Sequence, residues 1–262
     1  MALEVRVCEP GGFGDAAADA LLEAASGVRA PVVGLATGNT PLALYDALAR
    51  RVQQGEAAVS AWRPFAIDEY GGARGHPCSN RSYFARHWDS IPGARPVLQF
   101  EPQAADPAAE AARFRAALAA AGGLDVVLLG IGRNGHFAFN EPGSARDSVT
   151  RLADLAPETR AAASACWGEL TPRSGYTLGL GEILAARRVV LLADGHAKAA
   201  IVARALAGPI GPECPASFLR EHPAAVVVLD VAAAAGLRSG SAQAGGIAVP
   251  GDFPPADGGG HP

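Results

Sequence analysis

Residues 125 to 144 read DVVLLGIGRNGHFAFNEPGS, and the reading of this stretch decides the fold. Asp125-Val126-Val127-Leu128-Leu129 has the short, unbroken apolar character of a buried strand. It runs straight into Gly130-Ile131-Gly132-Arg133-Asn134-Gly135, a match to the G-x-G-x-x-G pattern of dinucleotide-binding turns. That pattern requires a helix opening directly after the third glycine, so that its N-terminus faces a pyrophosphate. Here His136, Phe137, Ala138, Phe139, Asn140 and Glu141 lead instead to Pro142-Gly143, a turn signal where the helix should continue. The glycines therefore shape a loop after a strand, and the residues that follow them are the informative ones.

Working outward, short apolar runs alternate with Ala/Leu-rich segments over most of the chain. The runs predict strands at Val5 to Val7, Pro31 to Leu35, Phe65 to Ile67, Val97 to Phe100, Val126 to Leu129, Val189 to Leu192 and Val226 to Leu229. Between them, Thr40 to Val52 places Leu44, Leu48 and Val52 on one helical face, and Ala108 to Ala121 is helical by propensity. This alternation predicts an α/β fold: a single doubly wound, three-layer αβα domain on a mostly parallel, Rossmann-like sheet, spanning residues 1–237. Residues 238–262, rich in Gly and Pro, predict a disordered tail.

Composition narrows the partners. The chain has 262 residues, 49% hydrophobic and 18% charged, with a net charge of -4, so no basic excess advertises nucleic acid or anionic lipid. A small metabolite is the more natural ligand. No apolar run approaches the roughly 20 residues of a membrane span, and no signal peptide is evident, so the cytoplasm is the expected compartment. Cys8, Cys78, Cys166 and Cys214 are widely spaced and are read as reduced thiols, without zinc-site spacing.

Open parallel sheets bind ligands at the carboxyl ends of their strands, and four such segments carry chemistry. After the strand ending at Leu35, Thr37, Gly38, Asn39 and Thr40 precede a helix opened by Pro41, a cradle for phosphate but not a Walker loop. Asp68-Glu69 follows the next strand, where partial desolvation would make a carboxylate a base near neutral pH. The opening stretch sets His136 between Asn134 and Glu141, able to fix an imidazole's tautomer and basicity. Lys198, in the first turn after the strand at Val189, disfavours the helix dipole unless an anion is near.

In this order the segments resemble the glucosamine-6-phosphate deaminase/isomerase family, of the superfamily that also holds 6-phosphogluconolactonases and ribose-5-phosphate isomerases. The resemblance runs from about residue 5 to 235 and is most specific in GIGRNGHFAFNEPG; LATGNTP, IDEY, HPCSNRSYF, TLGLGEIL and GHAKA with CPASFLREH add weaker matches. It implies a sugar-phosphate site with the phosphate on Thr37, Gly38, Asn39 and Thr40 and Lys198 as counter-charge. It further implies that His136, oriented by Glu141 and Asn134, opens the pyranose ring, and that Asp68 moves the C2 proton to C1, giving fructose 6-phosphate and ammonia. No metal or organic cofactor is implied, and self-association into a homo-oligomer stays open.

Several positions depart from the family pattern. Ala165 stands where an arginine typically clamps the phosphate, with Arg173 nearby in sequence. Asn134 replaces the aspartate of many relatives, Gly71-Gly72-Ala73 replaces Val-Gly-Leu, and HPCSN leans toward the lactonases. Arg151 matches an arginine used in allosteric activation, but Ala153 replaces the basic residue two positions on. The alternatives are a paralogue for another amino sugar or amino-sugar phosphate, a lactonase-type hydrolase that needs His136 but not Asp68, and a sugar-phosphate sensor. A dinucleotide-dependent oxidoreductase fits least.

Overall fold

A computed structural model describes residues 3–9, 11–72 and 75–238. Six strands form the main sheet: β1 (Glu4–Cys8), β2 (Val32–Leu35), β3 (Arg63–Ala66), β5 (Val126–Gly130), β8 (Arg188–Ala193) and β9 (Ala225–Asp230). Their order is β1-β9-β8-β5-β2-β3, and every pairing is parallel. Val126, Val127, Leu128 and Leu129 are all fully buried although successive side chains point to opposite faces. Both faces of the sheet are therefore covered, as the unbroken apolar runs require.

The helices supply that cover. α1 (Phe13–Ala25) packs on β8, β9 and β5 and against α2 (Leu42–Gln53). On α2, Leu44 and Leu48 are buried and Val52 is partly so, the face that their spacing predicts. α4 (Pro107–Ala120) is capped by Asp106, whose carboxylate accepts the Ala108 and Ala109 N–H groups. α7 (Ala199–Ala207) and α8 (Val231–Arg238) pack on each other, and α8 also contacts β9 and β1.

The chain enters at the β1 edge, crosses to β2, moves outward to β3, then returns to β5 on the other side of β2 and continues to β8 and β9. The reversal lies between β2 and β5, so the crevice beyond their carboxyl ends is the switch point where such sheets bind ligands.

Two expectations are corrected. Val97 to Phe100 is not a strand: only Leu98 joins the sheet, in an isolated bridge to Phe65, because one pair of main-chain bonds to Pro64 and Ala66 forms there. Sequence patterning also missed a second, antiparallel sheet of order β4-β7-β6, built from β4 (Asp68–Tyr70), β7 (Ser174–Thr177) and β6 (Arg151–Asp154). The expected tail lies outside the described residues apart from Arg238, which ends α8.

Candidate active site

The carboxyl ends of β2, β3, β5 and β8 carry the predicted site residues into one region. After β2, Gly38 adopts φ 105°, a left-handed conformation that favours glycine, and its carbonyl accepts the Tyr83 hydroxyl at 2.8 Å. Thr37 is half-buried, while Gly38 and Asn39 are exposed at the rim. Thr40 differs from expectation: its hydroxyl donates to Asp194 Oδ1 at 2.5 Å, so a carboxylate already occupies it. Helix α2 begins at Leu42 with Pro41 at the cap position, not inside the first turn.

Lys198 reaches the same region from the β8 side. Its ammonium donates to the Ile131 carbonyl at 2.6 Å, at the start of the glycine loop. Burial lowers the Lys198 pKa, the charge of Arg133 lowers it further, and Asp194 opposes both. Arg133 and Asp194 thus both act on Lys198, and Asp194 links it to the Thr37 turn through Thr40. Arg133 and Asp194 were not singled out from sequence; the only signal was their position next to Asn134 and at the end of a strand.

Asp68 and Glu69 are not solvated loop acids. Both are buried on β4, the strand that follows β3 after Ile67 and forms the edge of the second sheet. Glu69 accepts the N–H groups of Tyr70, Asn80 and Arg81, and so caps α3 (Asn80–His87) with two of them. Asp68 accepts the Asn80 side-chain amide at 2.5 Å. Burial first, and then the Glu69 charge, push the Asp68 carboxyl up to about 8.

His136 is fixed by a polar cluster. Its Nδ1 lies 2.7 Å from Asn134 Oδ1, 3.2 Å from Glu141 Oε2 and 3.3 Å from the Thr159 hydroxyl. Nδ1 surrounded by oxygen acceptors carries the ring proton, which leaves the lone pair on Nε2 for a ligand. Asn134 completes the cluster by donating from Nδ2 to Glu141 at 2.8 Å. Burial alone would raise the Glu141 carboxyl, but the hydrogen bond and charge of His136, with Thr159 and Asn134, hold it at about 2.

The loop is built to place that ring. A β-carbon at position 132 would overlap the His136 imidazole, so only glycine fits there. Ala138 takes φ 48°, and the fully buried Asn140 pins the bend by donating to the Leu178 carbonyl at 2.8 Å. Tyr70 joins the two halves of the site: burial raises its hydroxyl pKa, and the charges of Asp68, Glu69 and Glu141 raise it further.

Thr159 comes from α5 (Pro157–Trp167), and the main-chain N–H of Ala156, just before it, donates to Glu141 at 3.3 Å. Ala165 lies exposed on the same helix. Arg173 is exposed at the start of β7, where its carbonyl accepts the Leu155 N–H. The reading of all four cysteines as reduced is corrected: Cys78 and Cys166 form a disulfide across 88 residues, because the fold brings their Cα atoms to 6.1 Å, within bonding range. Cys8 and Cys214 are free and buried.

No helix among the described residues is long and apolar enough to cross a membrane. The sequence profile of the family described as glucosamine-6-phosphate isomerases/6-phosphogluconolactonase matches residues 13–228. A glucosamine-6-phosphate deaminase of Rhodopirellula baltica is 42% identical over 210 residues, covering 78% of this chain and 84% of the relative. One of Cutibacterium acnes is 41% identical over 243 residues, covering 90% and 92%. Among solved structures, a monomeric glucosamine-6-phosphate deaminase superposes with a TM-score of 0.85 at 31% identity, over 89% of this chain and 100% of the other. A 6-phosphogluconolactonase of Leishmania guyanensis, 24% identical with a TM-score of 0.71, shares the fold. A braced imidazole and a buried carboxyl beyond the strand ends, in a sequence matched along most of its length, make the chain a member of the glucosamine-6-phosphate isomerase/6-phosphogluconolactonase family.

Proposed function

We propose that this chain converts glucosamine 6-phosphate and water to fructose 6-phosphate and ammonia. The observation that carries the reading is the His136 cluster, in which Asn134, Glu141 and Thr159 hold Nδ1 and free Nε2 for proton transfer. The deaminases among the relatives, matched over most of their length, support the same chemistry.

The phosphate is received at Thr37, Gly38, Asn39 and Thr40, with Lys198 and Arg133 as counter-charges; Thr40 gives up its bond to Asp194 or shares it. His136 Nε2 takes the proton of the anomeric hydroxyl and delivers it to the ring oxygen, opening the pyranose. The nearby Glu141 carboxylate stabilises the imidazolium formed between those two events. Asp68, as carboxylate, then removes the C2 proton and returns it at C1, while the C1 oxygen gains a proton and the C2 amino group loses one. The product is a C2 imine; water adds to it and ammonia leaves. Proton transfer by a positioned base is worth roughly 100- to 10,000-fold, so loss of either group should be severe. A lactonase needs no C2 proton abstraction, and the buried, Asn80-braced Asp68 favours the deaminase over that alternative. A sugar phosphate does not cross a bilayer unaided, which supports a cytoplasmic site of action.

The test is release of ammonia and fructose 6-phosphate from glucosamine 6-phosphate, beside unphosphorylated glucosamine and the variants Asp68→Asn and His136→Gln. Turnover of the phosphorylated sugar alone, lost in both variants, is expected. Full turnover in both variants, or none in the unaltered protein, would overturn the reading.

A further inference from the structure

α5 touches the candidate site at one end and is fastened at the other. Its first turn brings Thr159 to His136 and Glu141, while its last turn carries Cys166, bonded to Cys78. Cys78 lies in the segment between β4, which holds Asp68 and Glu69, and α3, whose Asn80 braces Asp68. The disulfide therefore ties the helix on the histidine side of the site to the segment that supports the carboxyl side.

Among the described residues, the hydrophobic footing of α5 is small. Its buried residues Ala163 and Trp167 belong to a small satellite cluster with Tyr70 and Cys78, separate from the main core. Trp167 stacks on His76 at 4.0 Å between ring centroids and meets Tyr70 at 5.3 Å, and Tyr70 meets Phe139 at 4.9 Å. This row of rings runs from the disulfide to the residue just before Asn140 and Glu141. Cys166 is exposed and Cys78 is half-buried, so a thiol reagent reaches the bond from solvent.

We propose that Cys78 and Cys166 form a reversible thiol–disulfide site, and that its state sets how firmly α5 is held against the substrate crevice. A dithiol reductant supplies the electrons. One thiolate of the dithiol attacks Sγ of Cys166, the more exposed of the two residues, and forms a mixed disulfide; Cys78 leaves as thiolate and takes up a proton. The second thiol of the reductant then displaces Cys166, which is also protonated, and the dithiol ends as its own disulfide. Two electrons and two protons pass to the protein, and an oxidised dithiol reverses both steps. In a reducing compartment a solvent-accessible pair of this kind is typically transient or redox-sensing. Asp68, Asn134, His136, Glu141 and Lys198 all lie outside α5, so opening the bond leaves the proton-transfer groups in place and loosens the helix that contacts them.

The consequence for turnover rests on the function proposed above; the thiol chemistry and the mobility of α5 do not. The experiment compares the full chain equilibrated with oxidised or reduced dithiothreitol. Alkylation with mass spectrometry assigns the thiols, hydrogen exchange reports residues 157–167, and KM and kcat are measured with glucosamine 6-phosphate. Blocked Cys78 and Cys166 in the oxidised sample are expected, with about tenfold faster α5 exchange after reduction. KM should rise about three- to tenfold with kcat within about twofold, and Cys166→Ser should match the reduced protein and ignore the reductant. Reactive Cys78 and Cys166 in oxidised dithiothreitol, or identical α5 exchange in both states, would overturn the proposal. Redox-dependent exchange without turnover in either state would uphold this site while removing the deaminase reading.

Discussion

The Asn80 side-chain amide donates to Asp68 Oδ1 at 2.5 Å, inside a pocket where burial and the neighbouring Glu69 push the Asp68 carboxyl up to about 8. Asp68 must be unprotonated to take the C2 proton. The rate constant kcat/KM of the free enzyme should therefore rise with pH and level off above about 8, and Asn80→Ala should move that limb further up because it removes a donor to the carboxylate. A rise completed below pH 6 would exclude Asp68 as the base.

The same burial has an effect on stability of defined sign. A carboxyl whose folded pKa is raised contributes stability below the unfolded value near 3.9, and that contribution is lost as pH climbs toward 8. Asp68→Asn, which cannot ionise, should unfold several degrees above the unaltered protein at pH 8.5. The gap should narrow toward pH 4 in a thermal-unfolding series.

Glu141 behaves in the opposite sense. Its carboxyl, held at about 2 despite burial, contributes stability above the unfolded value near 4.3 that is lost as pH falls toward 2. Glu141→Gln should flatten the acid limb of the stability curve and lower turnover by about 100-fold or more, since the imidazole loses its anionic partner.

Gly132→Ala tests the placement of the imidazole alone. The added methyl overlaps the ring, which must swing away from Asn134 and Glu141. Displacement of a reacting group by about 1 Å costs about 100-fold, so kcat/KM should drop by that order while far-ultraviolet circular dichroism is unchanged.

The phosphate end is tested by Lys198→Met and Arg133→Ala. Each removes a cation from the proposed phosphate end, where Lys198 donates to the Ile131 carbonyl and feels the charge of Arg133. A hydrogen bond to a charged group is worth about 1.5–3 kcal/mol, so Lys198→Met should raise KM about ten- to a hundredfold. Arg133→Ala, more exposed, should raise it less, and both effects should shrink in high salt.

Arg151 borders a cavity of about 530 Å³ with Ser144, Ser148 and Ala153. Its guanidinium already donates to Asn140 Oδ1 at 3.0 Å and to the Ser144 hydroxyl at 3.2 Å, and position 153 supplies no second cation. N-acetylglucosamine 6-phosphate should leave the velocity curve unshifted, as steady-state kinetics with and without it will report.

The central strands were legible because burial on both faces writes them as unbroken apolar runs. β4, β6 and β7 were not: DEY, RLAD and SGYT lack an unbroken apolar run, and β6 alternates between half-buried and exposed residues. Val97 to Phe100 was apolar for another reason, packing of Phe100 against Phe114 and Tyr176 instead of strand pairing. Within the candidate site, strand-end position picked out Asp68, His136 and Lys198. Asn80 and Thr159 act through contacts made by other segments, as does the Cys78–Cys166 bond, and local patterning carries no trace of them; Asp194 showed only its place at a strand end.

The outer position of β1 has an entropic consequence. Among the described residues Glu4–Cys8 pairs with Ala225–Asp230 alone, so this edge of the sheet joins strands from opposite ends of the described sequence. Of all neighbouring strands in the sheet these two are furthest apart in sequence, so their pairing closes the longest loop and carries the largest chain-entropy cost.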